Sequence, residues 1–364
     1  MNSNKKILFW CPGNLNNING SIEFMINSIK VFTSLKSTKL YLLSAFNINK
    51  NKTFFQLNLL ANKNLIFYEP NDFGLENLIE NIQLVKLIEK LDKENNFNFI
   101  FIRSFKLLKF DILNHIEKLK LVDKIILFIW YEYIEYFNHE NLIKIFSIFN
   151  YFTFSSPYVL EYFNNSFNNI LEKKRKIFFL PIIDDAKIDK TKNFKKDISC
   201  CYAGSFKIDY FIKEYINFFN QDNTEYKLNI FGQSFPFSNL IKNKKINYKG
   251  CLSGSQFDNE LVKNQFGLSI RNAKYSNHLD VSAKLIKYMN LNILPIVNKS
   301  KINLLLLGDD YYFCNRITSI NKIIDDFINN SDKINEFLKR NYEMSLNYTI
   351  ENHIIKMNIF LNFI

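Results

Sequence analysis

The groups in this chain best placed to do chemistry are small or charged residues at the ends of apolar runs. The string SAKLIKYMNLNILPIV (282–297) reads as a short amphipathic helix, a small turn and a buried strand. Upstream lie KINYKG (245–250), a helix GSQFDNELVKNQF (254–266) and a strand GLSIRN (267–272). An apolar strand feeding a helix N-terminus is how open α/β sheets present backbone N–H groups to a phosphate. In YAGSF (202–206), Gly204 lets the backbone approach a ligand closely, and the Ser205 hydroxyl can donate to a phosphate oxygen. Arg103 ends FIRSF and Glu132 ends FIWYE, at strand C-terminal ends where such sheets meet ligands. Arg103 could hold an anionic group, and Glu132 could orient a hydroxyl or act as a base; each could also anchor a loop through a salt bridge.

Other chemistries find no support. Of the four histidines, His278 is the one expected in a cleft, while His115 falls on a helical pattern among charged neighbours. There is no Ser-His-Asp order, no phosphate-binding P-loop and no cluster with metal-ligand spacing. The five cysteines are odd in number, form no C-x-x-C and sit mostly in apolar, strand-like settings. That usage fits reduced core thiols in a cytosolic protein. Cys200 and Cys201 are neighbours, so on a strand they face opposite ways.

The elements that must position these residues are legible as an alternation. In the first half, apolar runs at 5–11, 39–46, 64–70, 97–105, 124–132, 151–156 and 176–182 read as strands buried on both faces. Helical patterns at 20–33, 75–94, 108–119, 139–149 and 158–171 lie between them, which implies βαβ units and a mostly parallel sheet. The charged, non-periodic stretch 184–197 reads as a linker. A second α/β set follows, with strands at 198–206, 226–232, 245–250, 267–272, 293–297 and 309–315 and a helix at 208–220. From Ile320 onward the pattern is two or three amphipathic helices; in the last, Ile350, Ile354, Met357 and Leu361 make an apolar stripe. The length of 364 residues favours two domains, and 47% hydrophobic residues suffice for real cores. The net charge of +12 is spread over KKRK (173–176), 187–196 and KNKK (242–245), with no Arg-rich helix or aromatic-basic RNA motif. Much of it reflects a chain rich in Asn, Ile, Lys and Phe, whose codons are A/T-rich; an anionic lipid surface or a phosphate-bearing substrate is the alternative, and nucleic acid is not expected. No secretory signal is evident, and no window reaches the roughly 18–20 apolar residues needed to cross a bilayer.

Taken in order, the second-half motifs resemble those of GT-B glycosyltransferases, in particular the retaining family 4. The resemblance implies an α/β GT-B fold, two Rossmann-like domains facing a cleft. Residues 1–184 would bind the acceptor, 185–345 would bind a nucleotide-sugar, and 346–364 would return as a helix to the first domain. YAGSF takes the place of the family's first C-domain strand and glycine turn, and Lys207 would neutralise a diphosphate. NIFGQ (229–233) is similar to its second strand. Gly250, Cys251 and Leu252 would lie near the nucleotide base. Ser282 and Ala283 would lend N–H groups to the diphosphate and Lys284 a point charge. Gly13 and Gly20, in PGNLNNINGSIEFM (12–25), match a loop where acceptor or donor phosphates come close, Gly20 and Arg103 being assigned to the acceptor.

The chain departs from the family at one place. Two glutamates with seven residues between them are expected across this loop and helix, the first at the donor sugar and the second on the ribose hydroxyls. Leu279 and Lys287 stand there, with His278 and Asp280 flanking the first. A lysine cannot accept hydrogen bonds from two hydroxyls. With Glu132, His278 and Asp280 as catalytic candidates, the implied activity is sugar transfer from a nucleotide-sugar to a saccharide or lipid-linked glycan, as in bacterial surface polysaccharide synthesis. The resemblance implies retention of configuration, no metal, no cofactor beyond the nucleotide-sugar, and a cytoplasmic site with peripheral association with an anionic membrane. The alternatives are an inverting fucosyltransferase-like enzyme, to which SAKL…PIV is faintly similar, and a degenerate subunit that binds without turnover.

Overall fold

The computed structural model describes residues 5–17, 20–49, 62–104, 106–167, 169–179, 181–184, 197–206, 211–221, 224–252, 254–271 and 279–362. Two sequence candidates, Lys207 and His278, lie outside these residues, as does most of the charged stretch read as a linker (185–196). The chain divides into two compact units, one of Met1–Asn17, Ser21–Ile182 and Ile350–Ile364, the other of Ile18–Gly20 and Ile183–Thr349.

The first unit is a parallel sheet of β1 (Lys5–Cys11), β2 (Thr38–Ser44), β3 (Leu65–Tyr68), β4 (Phe99–Ile102), β5 (Ile125–Ile129), β6 (Tyr151–Phe154) and β7 (Arg175–Phe178). Their order is β3-β2-β1-β4-β5-β6-β7. Every residue of β4 and β5 is buried, as continuous apolar runs between two helical layers require. Helices α1 (Gly20–Ser34), α2 (Ile82–Asn95), α3 (Phe110–Lys118), α4 (Tyr133–Tyr136), α5 (His139–Ile148) and α6 (Pro157–Ser166) connect the strands. The helical pattern at 75–94 overshoots: α2 starts at Ile82, where the Asn81 side chain accepts from the N–H groups of Gln83 (2.9 Å) and Leu84 (3.2 Å). Aromatic rings fill one side of the sheet, with Phe9 stacked on Phe101 at 5.1 Å and Phe32 and Phe179 beside them.

The second unit holds a smaller parallel sheet of β8 (Asp197–Ala203), β9 (Lys227–Phe231), β10 (Ile246–Tyr248), β11 (Asn264–Leu268) and β12 (Leu294–Ile296), in the order β10-β9-β8-β11-β12. Its helices are α7 (Ile212–Phe219), α8 (Gly254–Leu261), α9 (Ala283–Asn290), α10 (Lys301–Leu307), α11 (Ile320–Ile328) and α12 (Ser331–Leu346). Cys201 packs with Leu261 and Tyr288, whereas Cys200 takes the opposite face.

Two boundaries differ from expectation. The helix expected over 254–266 stops at Leu261, because the Asn264 side chain donates to the carbonyls of Glu260 (3.1 Å) and Leu261 (3.0 Å). The strand accordingly begins at Asn264 rather than Gly267. The run 309–315 is not a strand. It meets the exit of β12 through a single backbone bond, Cys314 N–H to the Val297 carbonyl at 2.8 Å. Its aromatics instead fill space against α11 and α12, where Tyr311 meets Phe327 and Phe337.

The last helix, α13 (Ile350–Asn362), belongs to the first unit. Its Ile350, Met357, Phe360 and Leu361 join the cluster built on Phe9 and Phe101. The Lys5 ammonium donates to the Leu361 carbonyl and to Asn362 Oδ1 (3.1 Å), tying the helix end to the start of β1.

Candidate functional site

In the smaller sheet the order reverses beside β8: β9 and β10 lie to one side, β11 and β12 to the other. A crevice for ligands therefore opens past the carboxyl ends of β8 and β11, at Ala203 and Leu268. Gly204 turns the chain there with φ 135°, a conformation that favours glycine. A Cβ on Gly204 would stand 3.4 Å from Lys284 Cε. Lys284 therefore reaches from the first turn of α9 across to the glycine turn after β8. Its Nζ lies 3.9 Å from the centroid of the Tyr202 ring, in cation–π contact. Removal of this ammonium from water, with the positive charge of Arg271 nearby, brings its pKa down to about 7. Two cations held together in a partly dehydrated crevice make a site that gains most from a doubly or triply charged anion.

Buried tyrosines pin the two strand ends. The Tyr288 hydroxyl accepts from the Ala203 N–H at 3.0 Å, and the Tyr215 hydroxyl accepts from the Ile270 N–H at 2.9 Å. Tyr202 donates to the Ser205 carbonyl. Tyr288 fits only because β11 has a glycine opposite it: a Cβ on Gly267 would come within 2.4 Å of the ring. Sequence reasoning missed Arg271, Tyr202, Tyr215 and Tyr288. The one usable signal was Gly267, a glycine inside an apolar strand.

The other candidates of this unit fall around the same end of the sheet. Ser282 is the N-cap of α9 and accepts from the Leu285 N–H at 3.5 Å. Asp280, Arg271, Ser282, Ser269 and Asn298 line a small polar cavity beyond β11 and β12. Gly250 has φ +80° and its carbonyl accepts from the Gly232 N–H at 3.0 Å, so the loop after β10 is tied to the end of β9. Cys251 is exposed, whereas Leu252 packs against the cluster of Cys201 and Tyr288. Gly232 serves packing: a Cβ on it would lie 2.4 Å from the Gly204 carbonyl. Lys287 meets both carboxylate oxygens of Asp258 on α8 at 2.8 Å, with side chains only 12% and 17% exposed. The departure at this position thus carries its own carboxylate, supplied by the neighbouring helix.

Three candidates, Arg103, Glu132 and Gly13, lie in the first unit, and Gly20 lies in the short segment Ile18–Gly20 that belongs to the second. The Arg103 guanidinium follows β4 and stacks over Phe24 at 4.4 Å, near Phe128 (5.4 Å) and Trp130 (5.6 Å). Glu132 follows β5 and accepts from Trp130 Nε1 at 3.1 Å. Both stand at the carboxyl ends of central strands, in an aromatic setting. A Cβ on Gly13 would meet Ile22 Cδ1 at 2.5 Å, so this glycine lets its loop pack on α1, and Gly20 opens that helix. No group of three or more His, Cys, Asp or Glu that could hold a metal occurs among the described residues.

No protein-family model matches the chain, and no curated protein does. Solved structures do. HepE from Anabaena, in complex with UDP and glucose, superposes with a TM-score of 0.70 at 10% identity, over 99% of this chain and 100% of that one. Sucrose-phosphate synthase from Thermosynechococcus elongatus gives 0.75 at 8% identity, over 98% of each chain. A glycosyltransferase from Rickettsia africae gives 0.68 at 12% identity, over 100% and 99%. The chain shares their architecture, two Rossmann-like units with parallel sheets, and has the GT-B fold of these glycosyltransferases.

Proposed function

We propose that this protein is a glycosyltransferase whose second unit binds a nucleoside-diphosphate sugar and whose first unit binds a saccharide or lipid-linked glycan acceptor. The observation that carries this reading is the convergence of Lys284, Arg271 and the Gly204 turn at the reversal point of the smaller sheet. A diphosphate there would neutralise both cations, accept N–H groups from the start of α9 and approach the backbone where no side chain stands. HepE, which has the same fold, is described in complex with UDP and glucose. That supports a uridine nucleotide as the first donor to test.

The chemistry would be displacement at the anomeric carbon through an oxocarbenium-like state, with positive charge stabilising the departing diphosphate. No metal is needed in this scheme, since Lys284 and Arg271 supply the charge. Retention follows only from the resemblance to family 4. Asp258, held by Lys287, would accept from the ribose hydroxyls in place of the missing glutamate; a carboxylate bonded to one ammonium keeps lone pairs for two hydroxyls. Asp280 and, in the first unit, Arg103 and Glu132 are the polar groups we assign to the sugar and acceptor. The surplus of lysines would favour an anionic membrane surface, where lipid-linked acceptors reside.

Thermal-shift or calorimetric screening against UDP-, GDP-, CMP- and dTDP-sugars tests the reading, because a ligand of the folded form raises the melting temperature. One nucleotide class should stabilise the protein and be turned over with a glycan acceptor. Binding without turnover across acceptors would favour the degenerate-subunit reading, and no binding of any nucleotide would sink both.

A further inference from the structure

The helical cover of the smaller sheet is incomplete on the face that carries α8. Toward the carboxyl ends of the strands, Phe231 packs against Phe257 and Cys201 against Leu261. On the same face, the outer strands leave a polar groove of about 230 Å³, with Phe231 and Lys249 at the end nearer the carboxyl ends of the strands. It reaches back to Ser199, which precedes the crevice-side end of β8 by four residues, roughly 13 Å of strand.

The floor of this groove is an ordered run of amides. Asn247 on β10 donates to Asn229 on β9 (3.4 Å), and Asn229 donates to Asn264 on β11 (2.7 Å). Asn264 in turn donates to the last carbonyls of α8, while its own oxygen also accepts from Ser199 at 3.0 Å. The chain of bonds therefore has a fixed direction, from the open edge of the sheet inward to a helix end. Its outer members, Asn229 and Asn247, are half-buried and keep amide N–H and carbonyl positions facing the groove. The rim carries Lys227, Lys249 and Lys263, all exposed, with Glu260 ion-paired to Lys263.

Adjacent amide donors and acceptors in a fixed array suit a polyhydroxylated ring, and the exposed Lys249 at the rim suits a negative substituent on it. We propose that this groove is a second ligand site, distinct from the nucleotide crevice, for an anionic sugar such as a hexose phosphate or a hexuronate. Hydroxyls would bond Asn229 and Asn247, and the anionic group would lie against Lys249. The site stands whether or not the crevice binds a nucleotide-sugar.

The experiment is titration calorimetry of the full chain with glucose 6-phosphate, glucuronate, glucose and inorganic phosphate. The charged sugars should bind, and glucose and inorganic phosphate should each bind at least tenfold more weakly. Comparing the first two distinguishes a phosphate from a carboxylate as the preferred anion. Asn247→Ala and Lys249→Ala should each weaken the better ligand about tenfold, with melting temperature unchanged. Equal binding of inorganic phosphate and sugar phosphate would overturn the proposal, because the amide floor would then play no part. So would binding that both variants leave untouched, and so would the absence of binding by either charged sugar at millimolar concentration.

Discussion

Lys284 concentrates the electrostatics of the proposed donor site in one side chain. Its pKa is held at about 7 because water is excluded and Arg271 is close. A bound diphosphate reverses that balance and returns the pKa toward the ordinary lysine range. The free protein thus loses this proton above about pH 7 while the complex keeps it, so binding takes up a proton. Nucleotide affinity should fall as pH rises from 7 to 9, by up to about tenfold per unit. Calorimetry in buffers of different ionisation enthalpy reads the proton directly, and a flat profile over that window would remove Lys284 from the site. Lys284→Ala should weaken nucleotide-diphosphate binding by about 1–3 kcal/mol and flatten the profile. Lys287 behaves differently, since its partner is internal. Lys287→Ala leaves Asp258 with an unpaired, largely buried charge, so about 3–5 kcal/mol of stability should be lost. Asp258→Asn with Lys287→Met spares that cost and isolates the carboxylate: nucleotide affinity should fall while melting temperature holds.

At the scale of elements, the crevice is a property of where two strands stop. β8 and β11 are held at their ends by Tyr288 and Tyr215, each through a backbone N–H. Gly267 is the space that admits Tyr288. Gly267→Ala should displace the ring, cost about 1–3 kcal/mol of stability through overpacking and release the Ala203 N–H. Denaturant melts would read the first effect, and weakened nucleotide binding the second. A variant with parental stability and affinity would show that the strand ends are set by something else.

For the molecule as a whole, the chain returns to its first unit after completing the second. Met357 and Leu361 lie at 0% and 2% exposure in the cluster of Phe9 and Phe101, and Lys5 bonds the helix end. Deleting 347–364 should open that core, lower solubility and destabilise the first unit far more than the second. Differential scanning calorimetry that finds both transitions unmoved would show that α13 is dispensable. The net charge of +12 acts at the same scale. Sedimentation with anionic vesicles should show binding that weakens with salt, each lysine or arginine near the surface contributing about 1 kcal/mol; binding indifferent to salt, or none, would leave the charge without a partner there.

Much of the architecture was legible because it rests on patterns that do not depend on distant contacts. Continuous apolar runs alternating with amphipathic stretches specify parallel strands between helical layers, and the seven runs of the first half are its seven strands. The stripe Ile350, Ile354, Met357, Leu361 specifies a helix with one buried face. Gly204 and Lys284 could be singled out because a strand-to-helix connection is where backbone N–H groups and glycine meet ligands. What the sequence did not determine depends on which side chains meet across it. The run at 309–315 has strand-like composition, yet aromatic packing on α11 and α12 holds it instead of a ladder. The C-terminus of α8 is decided by an asparagine amide that serves the helix on one side and a ladder of amides on the other. Arg271 beside Lys284, Tyr288 in the hole left by Gly267, and Asp258 opposite Lys287 join residues 13 or more positions apart, and only tertiary structure brings them together.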